Sequence, residues 1–106
     1  MRQVDPAEFK AWQEAGEAPR ILDVREPWEY EVAHLPDSTL IPLGELPSRA
    51  AEELDPAQPL VVLCHHGVRS LQAAYFLEHQ GFADVINLTG GIDRWSQTVD
   101  PATPRY

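Results

Sequence analysis

Cysteine is nearly absent from this chain. Cys64 is the only one among 106 residues, so no internal disulfide can form and a reducing, cytoplasmic setting is expected. Long apolar runs are missing too: nothing approaches the roughly 20 residues that span a bilayer. The N-terminus, MRQVDPAEFKAW, lacks the apolar core of a signal peptide. Positive charge is scarce, with eight Lys and Arg against seventeen Asp and Glu and a formal net charge of −9. That balance excludes a basic face for nucleic acid or an anionic membrane surface, so neither is expected as a partner. One further absence is local. Residues 56 to 77 contain no Asp or Glu, and Cys64 lies inside that gap. A site for an anion would produce such a gap, and so would a buried segment.

What is present describes one soluble globular domain over residues 1–106, with 43% hydrophobic and 24% charged residues and no repeat or linker. Asp5-Pro6-Ala7-Glu8 reads as an N-cap, a proline at the first helical position and an acidic third position. Phe9, Trp12 and Gln13 continue that helix and Gly16 stops it. Arg20 to Val24 is a short strand. Glu26-Pro27 opens a second helix through WEYEVA, and Ser38 to Ile41 is a strand closed by Pro42. Residues 43 to 54 form a helix whose start Pro47 breaks or delays. Leu60 to Leu63 is apolar without alternation, as for a strand covered on both faces. Val68 to Gln80 is a helix with Leu71, Ala74, Tyr75 and Leu77 on one side, ended by Gly81. Asp84 to Leu88 is another strand, Gly90-Gly91 turns into a last helix around Ile92 and Trp95, and DPATPRY is an extended surface segment. Strands alternating with helices imply an α/β fold with a mostly parallel sheet. In such a sheet ligands bind outside the carboxyl ends of the strands, which is where Cys64 stands.

Cys64 is either a small buried hydrophobe or a nucleophile, and its neighbours favour the second. A thiol reacts as its thiolate. Three features of CHHGVRS favour that form: the N-terminus of the following helix, loop N–H groups that Gly67 lets curl around the sulfur, and the charge of Arg69 with His65 and His66 beside it. Metal binding has little support, because the chain has four histidines and adjacent ones point in different directions. No serine stands in a nucleophile-elbow context.

The segment Cys64-His65-His66-Gly67-Val68-Arg69-Ser70 resembles the active-site loop of the rhodanese family, C-x-x-G-x-R followed by Ser or Thr. Asp23-Val24-Arg25-Glu26-Pro27-Trp28-Glu29-Tyr30, followed by His34-Leu35-Pro36, resembles the family's upstream signature D-V-R-E…E-Y…G-H-I-P-G-A. Gly90-Gly91-Ile92-Asp93-Arg94-Trp95 resembles its closing G-G-x-x-x-W. Two departures occur in the upstream segment: Ala33 stands in place of Gly, and Asp37-Ser38 in place of Gly-Ala.

The resemblance implies a rhodanese-like domain with a sheet of about five strands and helices on both faces. It also implies sulfur transfer by double displacement. Cys64 would take a sulfane sulfur from a small anionic donor such as thiosulfate, then pass it to cyanide or to a thiol, free or on a partner protein. Arg69, His65, His66, Gly67, Val68 and Ser70 would bind the donor and the persulfide, while Asp23, Arg25 and Glu29 would shape the loop through ion pairs and caps. Trp95 would pack in the core and His34 would hold a turn. No cofactor or metal is implied. Cysteine phosphatases on the same scaffold use C-x5-R, one residue longer than the loop here. A non-catalytic sulfur-carrier or regulatory module is the other alternative.

Overall fold

The computed structural model describes all 106 residues. Ten elements follow one another: β1 (Arg2–Val4), α1 (Pro6–Glu14), β2 (Arg20–Asp23), α2 (Pro27–Val32), β3 (Ser38–Leu40), α3 (Leu46–Glu53), β4 (Leu60–Leu63), α4 (Val68–His79), β5 (Val85–Leu88) and α5 (Gly91–Thr98). A 3-10 turn at Leu43–Glu45 precedes α3, and Pro47 sits in the first turn of that helix. Proline suits this place because the N–H it lacks would have no intrahelical partner there.

All five strands are parallel, in the order β1-β5-β4-β2-β3. β4 is central, and its four residues are buried, as its unbroken apolar sequence required. Alternate residues supply two cores. Leu60, Val62 and Cys64 join Ala50 of α3 and Ala73, Ala74 and Leu77 of α4 on one face. Val61 and Leu63 join Phe9 of α1 and Ile92 and Trp95 of α5 on the other. Helices therefore cover both faces, and Cys64 extends the core line of the α3–α4 side. No helix is long and apolar enough to cross a membrane.

The structure departs from the sequence expectation at both ends of the chain. Residues 2 to 4 form a fifth strand, paired Arg2↔Ile86, Gln3↔Asn87 and Val4↔Leu88. Three residues of which two are exposed carry no usable period, so this strand is specified by its neighbour's backbone. The tail does not run freely over the surface. Ser96 Oγ donates to Thr103 O at 2.6 Å, Arg105 pairs with Asp93 at 3.1 Å, and the chain folds back toward the cysteine loop.

The two departures from the upstream signature have simple backbone reasons. Ala33 has φ −164, extended backbone that needs no glycine. Asp37 has φ 64, a left-handed conformation that Asp tolerates better than most residues.

Candidate active site

Strand β4 delivers Cys64 to the carboxyl edge of the sheet, and α4 starts four residues later. Gly67, at φ 102, makes the turn between them, and its N–H donates to Cys64 Sγ at 3.0 Å. A Cβ at Gly67 would come 3.2 Å from Gly90 N, so the turn is tight as well as left-handed. The first turn of α4 leaves its leading N–H groups without intrahelical acceptors, and its dipole places partial positive charge beside the sulfur. Cys64 is only 1% exposed. Its Sγ also lies 3.5 Å from Ser70 Oγ, to which the thiol donates.

The loop is held from beneath by α5. Ile92 N donates to Cys64 O at 2.9 Å and Asp93 N to His65 O at 3.1 Å. In a trans peptide the carbonyl and the next N–H point opposite ways. Tying these two carbonyls to α5 therefore turns the N–H groups of His65 and His66 to the side away from it. Gly91 permits the approach, since a Cβ there would lie 2.3 Å from Cys64 O.

Arg69, the arginine of the loop, does not stand free. Its Nη1 and Nη2 donate to Glu29 Oε1 and Oε2 at 2.6 and 2.8 Å, a bidentate pair between α4 and α2. Glu29 also accepts from its own cap residue, Glu26 N, at 3.0 Å, and from the Tyr106 hydroxyl at 2.7 Å. The Arg69 guanidinium is the main reason the Glu29 carboxyl is pulled down to about 2.

Behind this pair lies Arg25, fully buried. Nε and Nη2 form a fork on Asp23, at 2.9 and 2.7 Å, and Nη2 also reaches Ala33 O at 2.7 Å. Nη1 reaches Tyr106 Oη at 2.9 Å and Glu29 O at 3.3 Å. All five guanidinium hydrogens thus have acceptors, the condition for keeping such a charge out of water.

Tyr106 is a site residue that sequence reasoning missed. Its ring stacks on His65 at 4.0 Å and meets Trp28 edge-on at 5.6 Å. His65 is stacked in turn on His66 at 3.9 Å, and its Nε2 is buried with no hydrogen-bond partner. Burial holds its imidazole below the ordinary histidine range, with His66 adding to the effect. His66 is more exposed, with Nδ1 3.7 Å from Asp93 Oδ2. Val68 is 68% exposed at the rim of the loop. Of the other expected residues, Trp95 is buried in the core and His34 caps a turn through Tyr30 O at 2.9 Å. Asn87 was also missed, although a polar residue inside the apolar run DVINL was a visible signal. It accepts from the buried Ser70 hydroxyl at 2.5 Å.

The Glu29–Arg69 pair makes stability depend on pH in one direction. The folded carboxyl titrates near 2, against an ordinary value of 4.5. Its contribution, on the order of 2 kcal/mol, is full above about pH 5 and is lost as the pH falls toward 2. Glu29→Gln should be less stable than the parent at pH 7, with the gap narrowing on acidification. A urea-unfolding gap that stays constant from pH 7 to pH 3 would contradict this.

Comparison with known proteins places these features in a family. A family model described as rhodanese-like domain matches residues 5–98. The putative sulfur carrier protein YrkF of Bacillus subtilis is 44% identical over 88 residues, covering 83% of this chain and 47% of that protein. The thiosulfate sulfurtransferase GlpE of Pseudomonas syringae is 35% identical over 102 residues, covering 96% of this chain and 93% of that one. The chain spans less than half the length of several of the curated relatives it matches. Among solved structures, the rhodanese-like domain of the Anabaena protein Alr3790 has a TM-score of 0.87 at 29% identity, covering all of this chain and 80% of that one. A strand, a cysteine loop and a helix N-terminus in this order, with a matching family model over most of the length, give one conclusion: the chain belongs to the rhodanese-like domain family.

Proposed function

We propose that this protein is a sulfurtransferase that carries a sulfane sulfur on Cys64, with thiosulfate as a competent donor and cyanide or a thiol as acceptor. The observation that carries the reading is the Gly67 N–H on Cys64 Sγ, at the foot of α4 and the carboxyl end of the central strand. The likeness to a thiosulfate sulfurtransferase and to a putative sulfur carrier protein supports it.

In the first step the Cys64 thiolate attacks the outer sulfur of thiosulfate. A Cys64–sulfur bond forms, the bond to the sulfonate sulfur breaks, and sulfite leaves with the electron pair. The product is an anionic persulfide on Cys64. In the second step the acceptor attacks the terminal sulfur and the Cys64 thiolate departs, so ping-pong kinetics follow. The Gly67 N–H and the first turn of α4 stabilise the anionic sulfur in both states. Arg69 supplies a fixed positive charge whose direction is set by Glu29. His65, His66, Val68 and Ser70 line the same loop and contact the donor or the persulfide. Asp23, Arg25 and Glu29 hold the loop's shape.

Intact mass decides the matter. After thiosulfate treatment the protein should gain one sulfur, about 32 Da, and lose it again on addition of cyanide. No adduct and no turnover with thiosulfate or with a persulfide donor would overturn the reading. An adduct from a persulfide thiol but none from thiosulfate would favour the carrier role. The engagement of Arg69 by Glu29, which leaves that guanidinium less free for an inorganic dianion, is the observation on that side.

A further inference from the structure

Asn87 is a buried amide on a strand whose other three residues are apolar, Val85, Ile86 and Leu88, and it is 2% exposed. Such a group is costly to bury without hydrogen bonds. Its Oδ1 accepts from Ser70 Oγ at 2.5 Å and its Nδ2 donates to Gln3 Oε1 at 3.4 Å, across to the edge strand β1. Ser70 is fully buried, and its hydroxyl has two partners, Asn87 and Cys64 Sγ. A continuous chain therefore runs from the sulfur through Ser70 and Asn87 to the exposed side chain of Gln3.

A hydroxyl has one hydrogen to give. In the arrangement seen, Ser70 gives it to Asn87, so Cys64 faces the lone pairs of Ser70 Oγ and donates its S–H to them. That sense suits a neutral thiol and opposes an anion. An ionised or persulfidated sulfur requires the Ser70 hydrogen to turn toward it. Ser70 Oγ then needs a donor on its other side, which Oδ1 cannot be. A half-turn of the Asn87 amide supplies Nδ2–H to Ser70 and presents Oδ1 to Gln3. The exposed Gln3 amide, turned likewise, donates to it. Every polar atom is satisfied in both senses.

We propose that Asn87 is a positioning residue that allows the chain Cys64–Ser70–Asn87–Gln3 to run in either direction, one holding the thiol and the other the anionic sulfur. Asparagine fits because a single side chain carries an acceptor and a donor on adjacent branches, which neither aspartate nor valine does. The chain reorients without carrying a proton across the amides; the thiol proton leaves to solvent. The proposal rests on Cys64 acting as an anion, as in the sulfur-transfer reading, but its test uses no sulfur donor.

Several ionisable groups surround Cys64: His65 and His66 in the loop, Arg69 of α4 with Glu29 of α2, Arg25 with Asp23 behind them, Asp93 of α5, and Tyr106. None of them hydrogen-bonds to the Ser70 or Asn87 side chains. They act alike in the parent and in variants of those two residues, so differences between variants isolate the chain.

The experiment is the pH dependence of iodoacetamide alkylation of Cys64 in the full chain, with circular dichroism to verify folding. Asn87→Asp accepts only and locks the Ser70 hydrogen away from the sulfur. Its alkylation midpoint should rise by about one pH unit, a tenfold loss of rate below the midpoint. Asn87→Val frees the Ser70 hydrogen and should leave the midpoint at or below the parent's. Ser70→Ala should raise it, and adding Asn87→Asp to Ser70→Ala should then change nothing further. An Asn87→Asp shift that persists without Ser70 would show only the field of a carboxylate and would overturn the proposal. So would an equal rise in Asn87→Val, or no rise in Asn87→Asp. If Asn87→Asp does not fold, the other two single variants decide: Ser70→Ala must rise and Asn87→Val must not. A protein that alkylates in this pattern yet takes up no sulfur would sink the sulfur-transfer reading and leave this one standing.

Discussion

Cys64→Ser is expected to reduce thiosulfate:cyanide turnover to background and to abolish the sulfur adduct, while the domain stays folded. The proposed first step needs an ionised nucleophile that leaves again as a good leaving group, and serine is neither at neutral pH. A loss of at least about a thousandfold follows, on the scale of other removed nucleophiles. The fold should tolerate the change. Cys64 is buried, but serine is nearly its size, and its oxygen can accept from Gly67 N–H and donate to Ser70 Oγ in place of the sulfur. The stability cost should not exceed about 2 kcal/mol, the order of burying one paired hydroxyl. Turnover assays beside urea unfolding check both halves. Retained turnover in a folded Cys64→Ser protein would remove the persulfide from the mechanism.

Gly91→Ala should have the largest effect on stability among single-methyl changes. The new Cβ would lie 2.3 Å from Cys64 O and 2.4 Å from His65 O, both backbone atoms with no flexible end to yield. Relief requires α5 to move off the loop, breaking the bonds from Ile92 N and Asp93 N. The carbonyls of buried Cys64 and half-buried His65 would lose their partners, at about 1–3 kcal/mol each. The left-handed φ of 62 adds about 1–2 kcal/mol for any side chain. The sum, roughly 3–8 kcal/mol by these figures, reaches the whole stability of a marginal domain. Gly16→Ala is the control, because Gly16 has φ 74 and nothing within 4 Å of an added Cβ. It should show the conformational term alone, about 1–2 kcal/mol. Equal denaturation midpoints for the two variants would refute the close-approach argument.

Some of this architecture was written locally. β4 was readable because a four-residue apolar run without alternation is what a strand covered on both faces requires, and α1 because Asp5 and Pro6 mark its start. The cysteine loop was readable because strand, cysteine, glycine and helix must be adjacent in sequence to form a cradle. β1 was not readable: three residues carry no period, and its partner β5 lies more than eighty positions away. The same holds for the side-chain partners. Arg69 and Glu29 are 40 residues apart, Arg25 and Tyr106 are 81 apart, and Ser70 and Asn87 are 17 apart.

The motifs at Asp23, Cys64 and Gly90 determined the family, the α/β class and the place of the cysteine loop, because each depends on neighbours within a few positions. Only the tertiary structure decided what those residues face. It turned the loop's arginine onto Glu29, folded Tyr106 against His65 and Arg25, and set Asn87 behind Ser70. The physical reason is reach. A local pattern specifies backbone shape, whereas the partner of a buried polar group is whichever distant segment the sheet order and the helix packing bring within about 3 Å, hydrogen-bonding distance.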